Sequence, residues 1–137
     1  MKVLVDTCIW SYALRRVKTA PEHDLVVREF GQLIRDASVQ MVGPIRQEIL
    51  SGIRDHTQLL VLRDHLREFP DILITSDDHE RAAEMFQKLR AKGIQGSNTD
   101  FLLCALSELI GIPIFTTDED FALFKKHLPI KLHKARI

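Results

Sequence analysis

The chain carries no excess of either charge: 19 lysines and arginines offset 19 aspartates and glutamates, and the formal net charge is zero. A strongly basic chain would point directly to nucleic acid. Balance withholds that signal without excluding such a substrate, because an acidic pocket and a basic rim cancel in the sum. Cysteine is scarce. Cys8 and Cys104 cannot build a disulfide framework, and reduced thiols in a cytosolic protein are the simpler reading. No run approaches the ~18 apolar residues that a membrane span needs. The opening Met1-Lys2-Val3-Leu4-Val5-Asp6 places an acid where a signal peptide would have its apolar core. A cytoplasmic location is expected. Repeats, low-complexity tracts and long linkers are missing, and 137 residues suit a single domain spanning 1–137.

Several site signatures are absent too. Six histidines, at 23, 56, 65, 79, 127 and 133, form no two-histidine ligand pattern and no His-Glu-x-x-His. Gly93 and Gly96 make no dinucleotide fingerprint, and no phosphate-binding Gly-x-x-x-x-Gly-Lys occurs. Cys8 and Cys104 sit in apolar stretches and read as core thiols.

What is present is an alternation of short apolar runs and helical periodicities. Val3-Leu4-Val5 reads as a buried parallel strand, followed by a helix over 7–14. Residues 18–22, with Pro21, read as a connection. Leu25 to Ile34 has helical spacing, and 38–42 reads as a second strand. Pro44 suits the first turn of a helix that carries Glu48 and ends near Gly52. A further helix over 59–69 is closed by Pro70, with 72–74 a strand or an extended link. Asp77 or Asp78 is expected to cap the next helix, and Gly93 to follow its end. Asn98-Thr99-Asp100 opens a strongly apolar helix ending at Gly111. Residues 113–116 read as a strand, 121–126 as a short helix and 130–132 as a last strand. This order implies an α/β fold with a mostly parallel sheet covered on both faces. Such sheets hold ligands at the carboxyl ends of their strands.

Asp6 follows the first strand, and Asp118 lies two residues past the strand ending near Thr116. Asp100 lies at a helix start and Glu48 inside the helix after the second strand. Singly, Asp100 reads as a helix cap, Asp118 as a turn residue, and Glu48 as a solvated side chain paired with Arg46 or Arg54. Asp6 resists that treatment, since an acid directly after an apolar strand has little use as a turn former. Together, four carboxylates converging on one pocket would repel one another, and a divalent cation resolves the repulsion. Oxygen-only ligation suits Mg²⁺ or Mn²⁺. Such ions promote phosphodiester hydrolysis.

These segments resemble the PIN-domain family. Val3-Leu4-Val5-Asp6-Thr7 is similar to its opening strand and acid. Gly43-Pro44-Ile45-Arg46-Gln47-Glu48-Ile49 resembles its second acidic helix, and Asp100-Phe101-Leu102-Leu103-Cys104-Ala105 its third. Ile114-Phe115-Thr116-Thr117-Asp118-Glu119-Asp120-Phe121 resembles its closing segment, the most specific of the four. The resemblance implies a three-layer α/β/α domain with endoribonuclease activity dependent on Mg²⁺ or Mn²⁺. It makes Asp6, Glu48, Asp100 and Asp118 the catalytic, metal-holding acids, supported by Thr7, Thr117, Asn98 and Asp120. The small size is similar to VapC toxins, which act on RNA, dimerise and are silenced by an antitoxin protein. That likeness implies an RNA substrate, a cognate antitoxin and a homodimer.

Trp10 and Tyr12 read either as base-stacking rings or as packing residues, and Arg15, Arg16 and Lys18 as a solvated cluster or a phosphate contact. Two other classes compete. A phosphotransfer domain would want a second acid near Asp6, but an aspartyl phosphatase's position is filled by Cys8. An inactive PIN-like RNA-binding or assembly module would be expected to have lost an acid, and none is lost.

Overall fold

The computed structural model describes residues 1–14 and 21–136. The elements are β1 (Val3–Val5), α1 (Thr7–Leu14), a 3-10 turn (Pro21–His23), α2 (Asp24–Arg35), β2 (Val39–Gln40) and α3 (Gly43–Ser51). Then follow α4 (His56–Leu66), α5 (Ser76–Arg90), α6 (Asn98–Ile110), β3 (Ile114–Phe115) and α7 (Asp120–Lys125). The basic cluster at Arg15, Arg16 and Lys18, and most of the expected 18–22 connection, lie outside the described residues.

The sheet order is β2-β1-β3, all parallel, with Val3 opposite Val39 and Val5 opposite Phe115. Val3, Leu4, Val5, Ile114 and Phe115 are all buried, as a parallel sheet sandwiched between helices requires. Helix α1 packs against both α2 and α3, α3 packs against α4, and α5 lies along α6. The α/β/α architecture therefore holds. None of the described helices is long and apolar enough to cross a membrane.

Several boundaries differ from the sequence reading, each for a local reason. The second strand shortens to two residues. Beyond it Met41 makes a single bridge to Asp71, and Ile72 donates its N–H to Met41 O at 3.0 Å. Residues 72–74 are therefore an extended link that touches the sheet once. Residues 130–132 likewise contribute one bridge, Leu132 to Ile114. The cap of α5 is Thr75, not Asp77 or Asp78. Asp78 is the third helical residue, and its carboxylate returns to the Thr75 N–H at 2.8 Å while the Thr75 hydroxyl accepts from the Asp78 N–H. Trp10 is core, 4% exposed, meeting Phe30 and Phe69 edge to face. It is not available to stack on a base.

Arg46 is also spoken for. Its guanidinium binds Asp71 and the carbonyls of Leu66 and Phe69, tying α3 to the end of α4. Glu48 therefore does not pair with Arg46.

A second long-range tie fixes the chain after α7. Glu29 of α2, 4% exposed, receives His133 Nε2 at 2.6 Å and Arg136 Nε at 3.0 Å. Burial alone would push this carboxyl up, but the two donors and their charges hold it below the usual carboxylate range. The same stretch lines β3, with Ile114 N–H donating to Lys131 O and His133 N–H to Ile114 O.

Candidate active site

The centre of the site is built where β1 ends. The Asp6 N–H donates to Phe115 O at 3.0 Å, so the backbone of Asp6 is still part of the sheet. Its carbonyl accepts from the Ile9 N–H as α1 begins. The side chain is caught between two donors. Oδ1 accepts the Thr7 N–H at 2.8 Å and Oδ2 accepts the Thr116 hydroxyl at 2.8 Å. At 7% exposure the carboxyl is pushed up by burial and further by the charges of Asp100 and Asp118, against the pull of the Thr116 and Thr7 hydrogen bonds.

Asp100 enters from α6. It is the third helical residue of a reciprocal cap. Its Oδ2 accepts the Ser97 N–H at 3.0 Å and its own N–H donates to Ser97 Oγ at 3.1 Å. Asp100 is thus a cap and a member of the acidic cluster at once. Burial raises it, followed by the charges of Asp118 and Glu48. Glu48, on α3, is exposed and accepts the Thr7 hydroxyl at 2.6 Å. Asp118 is exposed, with Oδ1 accepting the Asp120 N–H at 2.9 Å. The electrostatic links run from Asp6 to Asp100 and Asp118, and from Asp100 to Asp118 and Glu48. All four acids share one field.

The supporting residues sort unevenly. Thr7 bridges two acids, its N–H on Asp6 and its hydroxyl on Glu48. Asp120 contributes its backbone N–H to Asp118. Thr117 touches no acid; its hydroxyl lies 3.4 Å from Cys8 Sγ and 3.2 Å from the Tyr12 hydroxyl. Asn98 sits in the first turn of α6 and lines a neighbouring cavity.

Two residues escaped the sequence reading. Thr116 is the hub, donating to Asp6 Oδ2 while its oxygen accepts the Asp118 N–H at 3.0 Å. Cys8 is half-buried rather than core, its thiol 3.8 Å from Asp6 Oδ2 and 3.5 Å from Thr116 Oγ1. A polar residue closing the β3 strand was the available signal for Thr116; nothing in the sequence marks Cys8. Cys104 is a core thiol as expected, pushed up to about 12 by burial and then by the charges of Asp100 and Asp6.

The donor set is all oxygen and suits a hard divalent cation. No ion pair among the described residues engages the four acids. Among the described residues, however, no three histidine, cysteine, aspartate or glutamate side chains converge into a ready-made metal cluster.

The family model of the PIN domain matches residues 3–126. The chain belongs to the PIN-domain family. No curated protein matches the sequence. Among solved structures, this PIN domain is similar to FitAcB from Neisseria gonorrhoeae at 16% identity, with TM-score 0.74 and 97% of each chain covered. It is similar to VapBC2 from Rickettsia felis bound to a DNA fragment from their promoter, at 18% identity and TM-score 0.72, covering 97% of this chain and 98% of that one. FitAB bound to the IR36 DNA fragment follows at 14% identity and TM-score 0.71, covering 96% and 93%. At such identities the likeness is one of fold.

Proposed function

We propose that this PIN domain is a Mg²⁺- or Mn²⁺-dependent endoribonuclease and the toxin of a VapBC-like toxin–antitoxin pair. The observation that carries the nuclease reading is Asp6, buried at the carboxyl end of the central strand and sharing a field with three further acids. The names of the two-component complexes FitAcB and VapBC2 support the toxin reading. Asp6, Asp100, Asp118 and Glu48 would hold the cation. When bound, it supplies positive charge to a phosphoryl group and lowers the pKa of water. The chain's own residues prepare that site. Thr116 and Thr7 fix the rotamer of Asp6, Ser97 that of Asp100, and Thr7 tethers Glu48.

The antitoxin needs an apolar seat near these acids. Ile9 and Trp10 do not provide it, because both are buried, while Ile49, though mostly buried, lines a cleft that reaches Glu48. Leu14, Ile53, Val61 and Leu62 do, around a cleft of about 380 Å³ between α1 and α4, adjoined by a second cleft that reaches Glu48. An antitoxin segment seated there would bring an arginine to the carboxylates, where its planar fork suits two oxygens.

A second reading, an RNA-binding or assembly module without cleavage, is favoured by one observation, the lack of a ready-made metal cluster among the described residues. One experiment separates the two. Purified chain should cut single-stranded RNA with Mn²⁺ or Mg²⁺, stop with EDTA, and fall by about a hundredfold or more in Asp6→Asn. Mn²⁺ should also raise the melting temperature of the wild type and not of Asp6→Asn. RNA bound but left intact by the metal-loaded wild type would establish the module instead.

A further inference from the structure

Beside the acidic cluster lies a cavity of about 430 Å³ between the start of α3, α5 and the first turn of α6. Its lining is of two kinds. Pro44, Ala82, Ala83 and Leu102 give an apolar wall of short side chains. His79, Asn98 and Thr99 supply the polar groups, and His79 and Asn98 are exposed. A neighbouring cavity of about 460 Å³ shares Pro44 and Thr99 with it and is lined by Glu48. The two adjoin at Pro44 and Thr99, and Thr99 is next in sequence to Asp100. A substrate reacting at Glu48 and Asp100 therefore has the His79–Asn98 cavity at its side.

We propose that this cavity receives one unstacked base of the RNA beside the cleaved phosphate, making His79 and Asn98 specificity-determining residues. The inference rests on the ribonuclease reading for its substrate class. Single-stranded RNA is read by splaying out a base, stacking it on a ring and hydrogen-bonding its edge. Among the described residues His79 is the aromatic ring of the lining. Asn98 offers an amide with donor and acceptor side by side, which matches the adjacent donor and acceptor on adenine. The small apolar residues leave room for a flat ring and no charge against it. Among the described residues the lining holds no lysine or arginine to bind a phosphate.

The test has two arms. In the first, wild type, His79→Ala, Asn98→Ala and His79→Phe cut a randomised single-stranded RNA library with Mn²⁺, and the products are sequenced. One position beside the cut should show a base bias that drops by about tenfold in each alanine variant and persists in His79→Phe, whose ring still stacks. Alanine profiles that superpose on the wild type overturn the proposal. In the second arm, the Asp6→Asn chain binds fluorescent oligoribonucleotides with a base or an abasic site at that position, or at each position in turn if no cleavage is seen. Removing the base should weaken binding about tenfold, and adding His79→Ala should erase the difference. If the wild type cuts nothing but this arm behaves as stated, the base cavity stands and the nuclease reading falls. If the wild type cuts RNA while the base and abasic strands bind equally, the cavity proposal falls alone.

Discussion

At the residue scale the site turns on one hydroxyl. Thr116 donates to Asp6 and accepts from the Asp118 N–H, so a single side chain sets the spacing of two acids contributed by residues 112 positions apart in the chain. Its hydrogen bond is also the leading influence that keeps the Asp6 carboxyl from rising further. Thr116→Val keeps the shape and removes the donor. If ionised Asp6 holds the cation, the acid limb of the pH–rate profile should move to higher pH, and Mn²⁺ affinity at neutral pH should fall about tenfold. An acid limb unchanged in Thr116→Val would show that Asp6 ionisation does not govern activity. Asp6, Asp118 and Asp100 stood out in the sequence because each follows a strand or lies in the first turn of a helix, which are local positions, whereas Glu48, inside α3, stood out only through the family resemblance. Thr116 and Cys8 did not stand out, since their significance lies in contacts across more than 100 residues. With two threonines in a row after a two-residue strand, alternation could not say which one faces Asp6.

At the scale of elements, α6 delivers Asp100, and its start is set by packing as much as by its cap. A Cβ at Gly96 would lie 2.8 Å from Phe124 Cζ and 2.9 Å from Phe101 Cε2, so the chain passes too close to these rings for any side chain. Gly96→Ala should cost about 1–3 kcal/mol and displace the turn that holds Ser97 and Asp100. Ser97→Ala should cost about 1 kcal/mol, by loss of the cap alone. Urea denaturation measures both; equal stabilities for Gly96→Ala and wild type would show that the rings give way freely. The helices were readable because their apolar periodicity is long. Of the strands, β1 was read in full, whereas β2 and β3 were placed but drawn too long, since each is two residues and the flanking chain touches the sheet only through single bridges. The start of α5 was misplaced because Thr75, Asp77 and Asp78 are all good capping types, and only the reciprocal bond between Thr75 and Asp78 decides among them.

At the scale of the whole molecule, a neutral total charge conceals an uneven distribution. Among the described residues no ion pair engages the four acids near β1, whereas Glu29, buried on α2, holds two donors from the stretch after α7. Glu29 lies below its ordinary value when folded, so its contribution is present above the unfolded carboxylate pKa and is lost as pH falls through the folded one. Glu29→Gln should destabilise the protein by about 2 kcal/mol at neutral pH, and the gap from wild type should close under acid. Urea titrations at the two pH values check this; a gap that persists in acid would assign the loss to packing rather than charge.

That same clamp has a consequence in time. Residues 131–136 pair with the outer edge of β3 and fill the acidic socket on α2, and they are synthesised after every acid of the site. A nascent chain that has reached Asp118 already carries all four carboxylates but lacks the residues that pair with β3 and those that donate to Glu29. A chain cut after Asp118 would therefore keep every acid of the proposed nuclease while losing the backbone partners of Ile114, two residues from Thr116, and the donors that hold Glu29.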